Sequence, residues 1–111
     1  MLRGEIPCDK VYEDEYALAF NDIYPQAPVH VLVIPKGEYI SFDDFSMKAS
    51  ADEIAGFYKA VQQVATELKL QEGGYRTISN IGKNAHQEVM HYHLHVLSGC
   101  DLGGLLKAGL V

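Results

Sequence analysis

An α+β fold, a largely antiparallel sheet with one main helix, is what this chain predicts, on three observations. Short runs of alternating or β-branched apolar residues outnumber helical patterns. A single helix-period stripe, with its own start signal, lies near the middle. At 111 residues, with no repeat, low-complexity segment or linker, the chain reads as one small domain over 1–111.

The elements follow in order. Val11 to Glu13 and Tyr16 to Phe20 read as short strands around an acidic turn at Asp14. Pro25 and Pro28 bracket a turn. Val29-His30-Val31-Leu32-Val33-Ile34 is a third strand, stopped by Pro35-Lys36-Gly37. Ile40 to Met47 reads as a mixed connector. Ser50-Ala51-Asp52-Glu53 carries the S-x-x-E pattern of a capping box. Ile54, Phe57, Val61, Val64 and Leu68 then recur at spacings of 3, 4, 3 and 4, one apolar face of a helix. Gly73-Gly74 is placed to end it. Tyr75 to Ile81 reads as a fourth strand, Gly82 to Glu88 as a polar loop and Val89 to Leu97 as a fifth strand. Gly99 to Val111 is a loosely patterned tail.

Composition narrows the function classes. With 48% apolar and 22% charged residues the chain is ordinary globular material, not a disordered segment. A net charge of −6 argues against a nucleic-acid groove or an anionic membrane surface, both of which need clustered Lys and Arg. No apolar stretch approaches the roughly 18 residues of a membrane span, and no signal-peptide core follows Met1. Cys8 and Cys100 lie far apart and form no C-x-x-C pair, as expected of reduced thiols in a cytoplasmic protein.

The densest chemistry is in His91-Tyr92-His93-Leu94-His95-Val96-Leu97. Three of the five histidines alternate with apolar residues at a period of two. On a strand that period aims three imidazoles one way and sends Tyr92, Leu94 and Val96 into a core. A shared Zn²⁺ is one use of such a row. Three same-face positions of one strand, however, span about 13 Å, too far for one ion at bonds of about 2.1 Å unless the strand bends. The chain also offers no second His, Asp or Cys cluster in sequence. Nucleophilic attack on phosphorus fits better. A free imidazole is already about three-quarters neutral at pH 7, and neighbouring imidazoles disfavour each other's protonation. An anionic substrate then favours protonating another member of the row, which supplies a donor.

These residues resemble a family. His-φ-His-φ-His-φ-φ, with φ apolar, is the signature of the histidine triad nucleotide-binding proteins, with Tyr92 its one semi-polar slot. Phe20-Asn21-Asp22-Ile23-Tyr24-Pro25-Gln26-Ala27-Pro28-Val29-His30, followed by Val33-Ile34-Pro35-Lys36, is similar to the family's first nucleotide-contacting segment. Asn80 through Gln87-Glu88-Val89 is similar to its phosphate loop. The resemblance runs from about Gly4 to Leu110 and is nearest the Hint type, the purine nucleoside phosphoramidate hydrolases. Glu88 and Leu102-Gly103-Gly104-Leu105-Leu106 resemble bacterial members. His95 fits the hydrolase branches, since the uridylyltransferase branch carries Gln there.

The resemblance implies a HIT-like fold with a five-stranded antiparallel sheet and one main helix. It implies His93 as the nucleophile that becomes nucleotidylated. His95 falls where the family bonds a phosphate oxygen or the leaving group, His91 where it orients the nucleophile, and His30 at the site's fourth histidine. Asp22 matches the carboxylate that accepts ribose hydroxyls, with Ile23 and Phe20 near the base or ribose. Asn80, Gln87 and the Val89 amide match phosphate ligands. His86 stands in place of the usual loop glycine and reads as solvated; Glu88 stands where many relatives have Ser. Relatives often begin earlier, with a C-x-x-C pair in a helix that walls the base pocket, so base preference stays open here.

The expected activity is cleavage of the P–N bond of a purine nucleoside 5′-phosphoramidate, or of an aminoacyl adenylate, with AMP or GMP as product. There is no Gly-rich P-loop, Arg pair or Mg²⁺ carboxylate cluster, and Lys83 is the only cation of the phosphate loop. One α-phosphate therefore suits the site better than a polyphosphate tail. No metal and no cofactor is expected, and no nucleic-acid or membrane partner. A nucleotide-binding interaction protein with residual catalysis is the alternative reading. A homodimer is expected from the family, with the helix face carrying Gly56 and Ala60 as the place where a partner helix approaches.

Overall fold

The structure, a computed structural model, describes residues 9–104. Its elements are β1 (Lys10–Glu13), β2 (Ala17–Asn21), β3 (Val29–Pro35), α1 (Phe42–Lys48), α2 (Ala51–Glu67), β4 (Arg76–Ile78), a 3₁₀ turn (Lys83–Ala85) and β5 (Leu94–Ser98). The strands form one five-stranded sheet in the order β1-β2-β3-β5-β4, every pair antiparallel. The expected α+β architecture is what forms. Cys8 and the tail beyond Gly104 lie outside the described residues; Cys100 is an exposed free thiol.

Asp14 makes the first hairpin. Its Oδ1 accepts the backbone N–H groups of Tyr16 (2.8 Å) and Ala17 (2.9 Å), so a carboxylate closes the turn. One face of the sheet is lined by Ala17, Ala19, Val31, Val33 and Val96, all fully buried beneath α2. Small alanines on β2 let the helix lie close, and Phe57, Val61 and Val64 fill the interval. The opposite face carries a smaller cluster of Leu18, Phe20 and Ile34 with Leu32. That second face holds the site.

Three expectations change at the helices. The stretch from Ile40 to Met47 is not a plain connector: α1 forms because Ser41 caps it, accepting the Asp44 N–H at 3.1 Å, and Phe45 anchors it in the core. The capping box at Ser50 and Glu53 is present in both directions, as expected. Yet α2 stops before Gly73-Gly74. Lys69 takes the left-handed conformation (φ 58°), with Lys69 N–H bonded to Thr66 C=O and Leu70 N–H to Ala65 C=O. That is a Schellman ending closed by the buried Leu70–Ala65 contact, so burial of Leu70 sets the stop.

The third change concerns the helix face proposed for a partner. Ala60 is 1% exposed in the protomer's own core, and a Cβ on Gly56 would fall 2.3 Å from the Tyr16 ring. Both small residues admit this chain's own β1–β2 hairpin and core, not a second helix.

Candidate active site

The fifth strand is shorter than its sequence pattern. Only His95 lies within β5; His91 and His93 sit on the extended approach to it. The period-two alternation nevertheless continues through Tyr92, Leu94 and Val96, which are buried as expected. Tyr92 holds the approach in place of a ladder. Its N–H donates to the Tyr39 carbonyl (2.6 Å), its ring stacks on Phe45 with centroids 5.4 Å apart, and its hydroxyl meets that of Tyr58 at 2.9 Å. The two histidines beside it are thereby fixed on the opposite side of the chain.

All three triad histidines line one open cleft of about 470 Å³. Phe20, Leu32 and Ile34 make its apolar floor, and Asp22 and Tyr24 come from the β2–β3 loop. Asn80 and the 85–89 loop close the other side. Among predicted contacts, Ile23 is 79% exposed and is absent from the cleft lining, whereas its neighbour Tyr24 is part of it. Leu32 and Ile34 were findable from sequence, because they share the period-two face of His30. Tyr24 carried no such signal.

Hydrogen bonds fix the imidazole tautomers. The Gln26 backbone N–H donates to His30 Nδ1 (2.9 Å), so the His30 proton sits on Nε2. That Nε2–H points to His95 Nδ1 at 2.8 Å and to Asp22 Oδ2 at 3.4 Å. His95 therefore accepts at Nδ1 and carries its own proton on Nε2. His93 Nδ1–H donates to the His91 carbonyl (2.7 Å), which leaves the lone pair on His93 Nε2. His91 Nε2–H donates to the Pro35 carbonyl (3.3 Å), so its ring braces the chain while its carbonyl orients His93. The His93 and His95 rings lie 5.1 Å apart at 72°.

Electrostatics agrees. Burial first, then the nearness of His93 and His30, pushes the His95 imidazole down to about 4, against a weaker pull from Asp22. Burial likewise holds His91 below its ordinary range. His95 is a donor by tautomer, its Nδ1 already accepting the His30 proton, and in the ligand-free site burial keeps its imidazole neutral near pH 7.

Asp22, His30 and His95 also bring three potential ligand atoms within 4.8 Å of one another, a convergence not visible in sequence order. The donor set does not suit a metal: the Gln26 N–H occupies His30 Nδ1, and a cation at Nε2 would need that nitrogen stripped of its only proton. The cluster is a proton-ordering chain.

The phosphate-loop residues divide into two groups. Gln87 has both amide ends occupied: Oε1 accepts the Gly82 N–H (2.9 Å), and Nε2 donates to the carbonyls of Ile40 (2.7 Å) and Val89 (3.1 Å). It clamps the loop. The Asn80 side chain and the Val89 N–H make no hydrogen bond among the described residues and remain available to a ligand in the cleft. Asp22 Oδ1 accepts the Tyr24 N–H (2.8 Å), which shapes the turn while Oδ2 faces His30.

An imidazole lone pair on His93, an imidazole N–H on His95 and an apolar shelf share one cleft on an antiparallel sheet, the kind of site that takes a small ligand with one polar and one apolar end. Which family this is follows from comparison. The HIT domain model matches residues 3–102, and the chain belongs to that family. It is 56% identical over 109 residues to a HIT-like protein of Azospirillum brasilense, covering 98% of this chain and 89% of that one. It is 39% identical over 107 residues to the purine nucleoside phosphoramidase of Escherichia coli K12, covering 96% and 88%. A histidine triad protein from Clostridium difficile superposes with a TM-score of 0.85 at 40% identity, covering 95% and 90%.

Proposed function

We propose that this protein is a hydrolase of purine nucleoside 5′-phosphoramidates that works through a covalent nucleotidyl-His93. One observation carries the reading: two neighbouring imidazoles in one cleft have opposite tautomers, a lone pair on His93 Nε2 and a proton on His95 Nε2. The likeness to the E. coli phosphoramidase supports the substrate class.

The base and ribose lie on Phe20, Leu32 and Ile34, beside Tyr24, with the ribose hydroxyls donating to Asp22. The phosphoryl oxygens accept from His95 Nε2–H, Asn80 and the Val89 N–H. His93 Nε2 bonds to phosphorus; the P–N bond breaks, and its electron pair leaves with nitrogen, which takes a proton from water at the open mouth. The positive charge on the phosphorylated imidazole is shared with the His91 carbonyl through Nδ1–H. Water then adds to phosphorus and gives up its spare proton to solvent. The P–Nε2 pair returns to His93, and nucleoside monophosphate departs. His30 acts through His95 as a positioning residue, holding its tautomer.

The reading includes a homodimer, paired at the sheet edge where the short β4 has no outer strand neighbour among the described residues. It is tested by steady-state hydrolysis of adenosine 5′-phosphoramidate with a rapid alkaline denaturing quench, in which a P–N(imidazole) bond survives, and mass spectrometry kept at neutral to alkaline pH. Steady release of AMP with the adduct mapped to His93 is expected. Turnover with no adduct on any histidine rejects the covalent route.

A further inference from the structure

The His30 side chain is only 3% exposed and does not line the cleft, yet it touches His95, whose Nε2–H serves the cleft. Both of its ring nitrogens are committed. Nδ1 accepts the Gln26 backbone N–H at 2.9 Å, and an amide keeps its proton at every pH the fold meets. Nε2–H lies 2.8 Å from His95 Nδ1, with the Asp22 carboxylate 3.4 Å away on the same side of the ring. A second proton on His95 could enter only at Nδ1, where it would meet the His30 N–H head-on. His30 cannot shift its own proton to Nδ1, because the Gln26 amide fills that nitrogen. Two buried donors would then face each other, one of them left without an acceptor. Geometry thus resists a positive charge on the pair. Burial, with His93 and His30 close by, acts in the same direction and holds His95 at about 4.

The ionisable neighbours supply no fixed cation in its place. His95 is flanked by His30 on β3, Asp22 on the β2–β3 loop and His93 on its own segment, and β4 opposes it with Ile78. Tyr24, His86, Glu88 and His91 stand elsewhere on the cleft wall, and among the described residues neither Lys nor Arg lines it. His93 Nε2 can take a proton only by giving up its attacking lone pair. A neutral N–H beside His93 suits a phosphoryl group of one charge; a second charge finds no partner there.

We propose that the Gln26 amide and His30, acting through His95, make the site select a phosphoryl group with one negative charge over one with two. His30 is on this view a positioning residue that determines specificity without touching the ligand. The selection rests on the nucleotide reading, which puts the phosphoryl group beside His95. Phosphoryl groups joined to a nitrogen, a carboxyl or a second alcohol carry one charge at neutral pH. A phosphomonoester carries nearly two, since its second ionisation lies near pH 6. Hydrolysis therefore turns a ligand that the site holds into one that it holds less well. The product is let go once its new P–OH group has given its proton to solvent.

The test compares AMP with its methyl ester, adenosine 5′-methylphosphate, by calorimetry on the His93→Ala protein, in which neither turnover nor a proton on His93 contributes. Between about pH 5 and pH 8 the ester keeps one charge while AMP gains its second. The ratio of the AMP Kd to the ester Kd should rise roughly tenfold across that range, the scale of one unsatisfied buried donor. His30→Ala in the same background opens His95 Nδ1 to a proton, and the rise should shrink to about twofold or less. Nitrogen-15 spectra of the histidine-labelled parent protein, saturated with AMP near neutral pH, give a readout that needs no variant. His95 Nδ1 should stay unprotonated in that complex, and these spectra decide the matter if His30→Ala does not fold. A flat ratio, a rise unaltered by His30→Ala, or a His95 protonated at both nitrogens overturns the selection. If neither ligand binds, the nucleotide reading fails and takes the selection with it. Binding without hydrolysis of adenosine 5′-phosphoramidate by the parent removes the enzymatic reading alone.

Discussion

His30 Nε2 lies 2.8 Å from His95 Nδ1, although the two residues are 65 positions apart in the chain. Strand register makes the meeting. Leu32 pairs with His95 and His30 with Leu97 across β3 and β5, so the two imidazoles are diagonal neighbours on one face. Because the Gln26 amide dictates which His30 nitrogen carries the proton, a backbone turn leading into the neighbouring strand decides which His95 nitrogen faces the cleft. The polarity of the site is written in its backbone amides and carbonyls.

His93→Ala should lower turnover of adenosine 5′-phosphoramidate by roughly three orders of magnitude or more, with AMP affinity near that of the parent. The nucleophile is lost while His95, Asn80 and Asp22 remain. Retention of more than about a tenth of the activity would falsify the assignment of the nucleophile.

Asp22→Asn keeps the Oδ1 that accepts the Tyr24 N–H, so the β2–β3 turn survives. It should cost about 1–3 kcal/mol in AMP binding, since a charge-assisted hydrogen bond to ribose becomes a neutral one. Titration with a 2′,3′-dideoxy nucleotide is the control, and it should detect almost no difference. Equal losses with both ligands would mean that Asp22 holds the turn and not the sugar.

Gln87→Glu should raise KM more than it lowers kcat. The new carboxylate retains the Gly82 N–H but faces the carbonyls of Ile40 and Val89 with no proton to offer. The cost is about 1–3 kcal/mol of loop stability, read by hydrogen exchange at the 82–89 amides. Unchanged exchange there, together with unchanged KM, contradicts the clamp.

Stability should rise with pH between about 4 and 6.5. His95 is held at about 4 and His91 below its ordinary 6.5, so the unfolded chain binds more protons than the folded one in that window. Their contribution is complete above pH 6.5 and is lost as the pH falls toward 4. His95→Gln should flatten the slope of Tm against pH. A Tm that climbs on acidification through the window is inconsistent with both imidazoles being buried as neutral groups.

Most of the sheet, the main helix and the triad were legible because each rests on a local period or a cap. The Ser50–Glu53 box and the alternation through Tyr92, Leu94 and Val96 needed no tertiary information. What escaped was decided by contacts distant in sequence. Leu70 ended α2 by packing, with Lys69 rather than glycine in the left-handed position. Phe45 turned a polar stretch into α1 by finding Phe57 and Tyr92. Gly56 and Ala60 suggested a partner helix only because nothing local revealed Tyr16 above Gly56 or the burial of Ala60 in the core. At the site, residue types could be read but tautomers could not, since those depend on the Gln26 amide and the carbonyls of His91 and Pro35.

Tyr92 ties the backbone of His91 and His93 to the start of α2. The backbone N–H it gives to Tyr39 joins it to a residue whose hydroxyl donates to Glu53, the carboxylate of the α2 cap. A chain of contacts thus runs from the first turn of α2, through the half-buried Tyr39 ring, to the backbone segment that carries His91 and His93. The segment of His91 and His93 should therefore unfold together with the aromatic cluster. In a denaturant titration, activity and the near-ultraviolet signal of the aromatic cluster should fall along one curve. Substitutions that loosen Phe45 or Phe57 would be felt first as a nucleophile out of line.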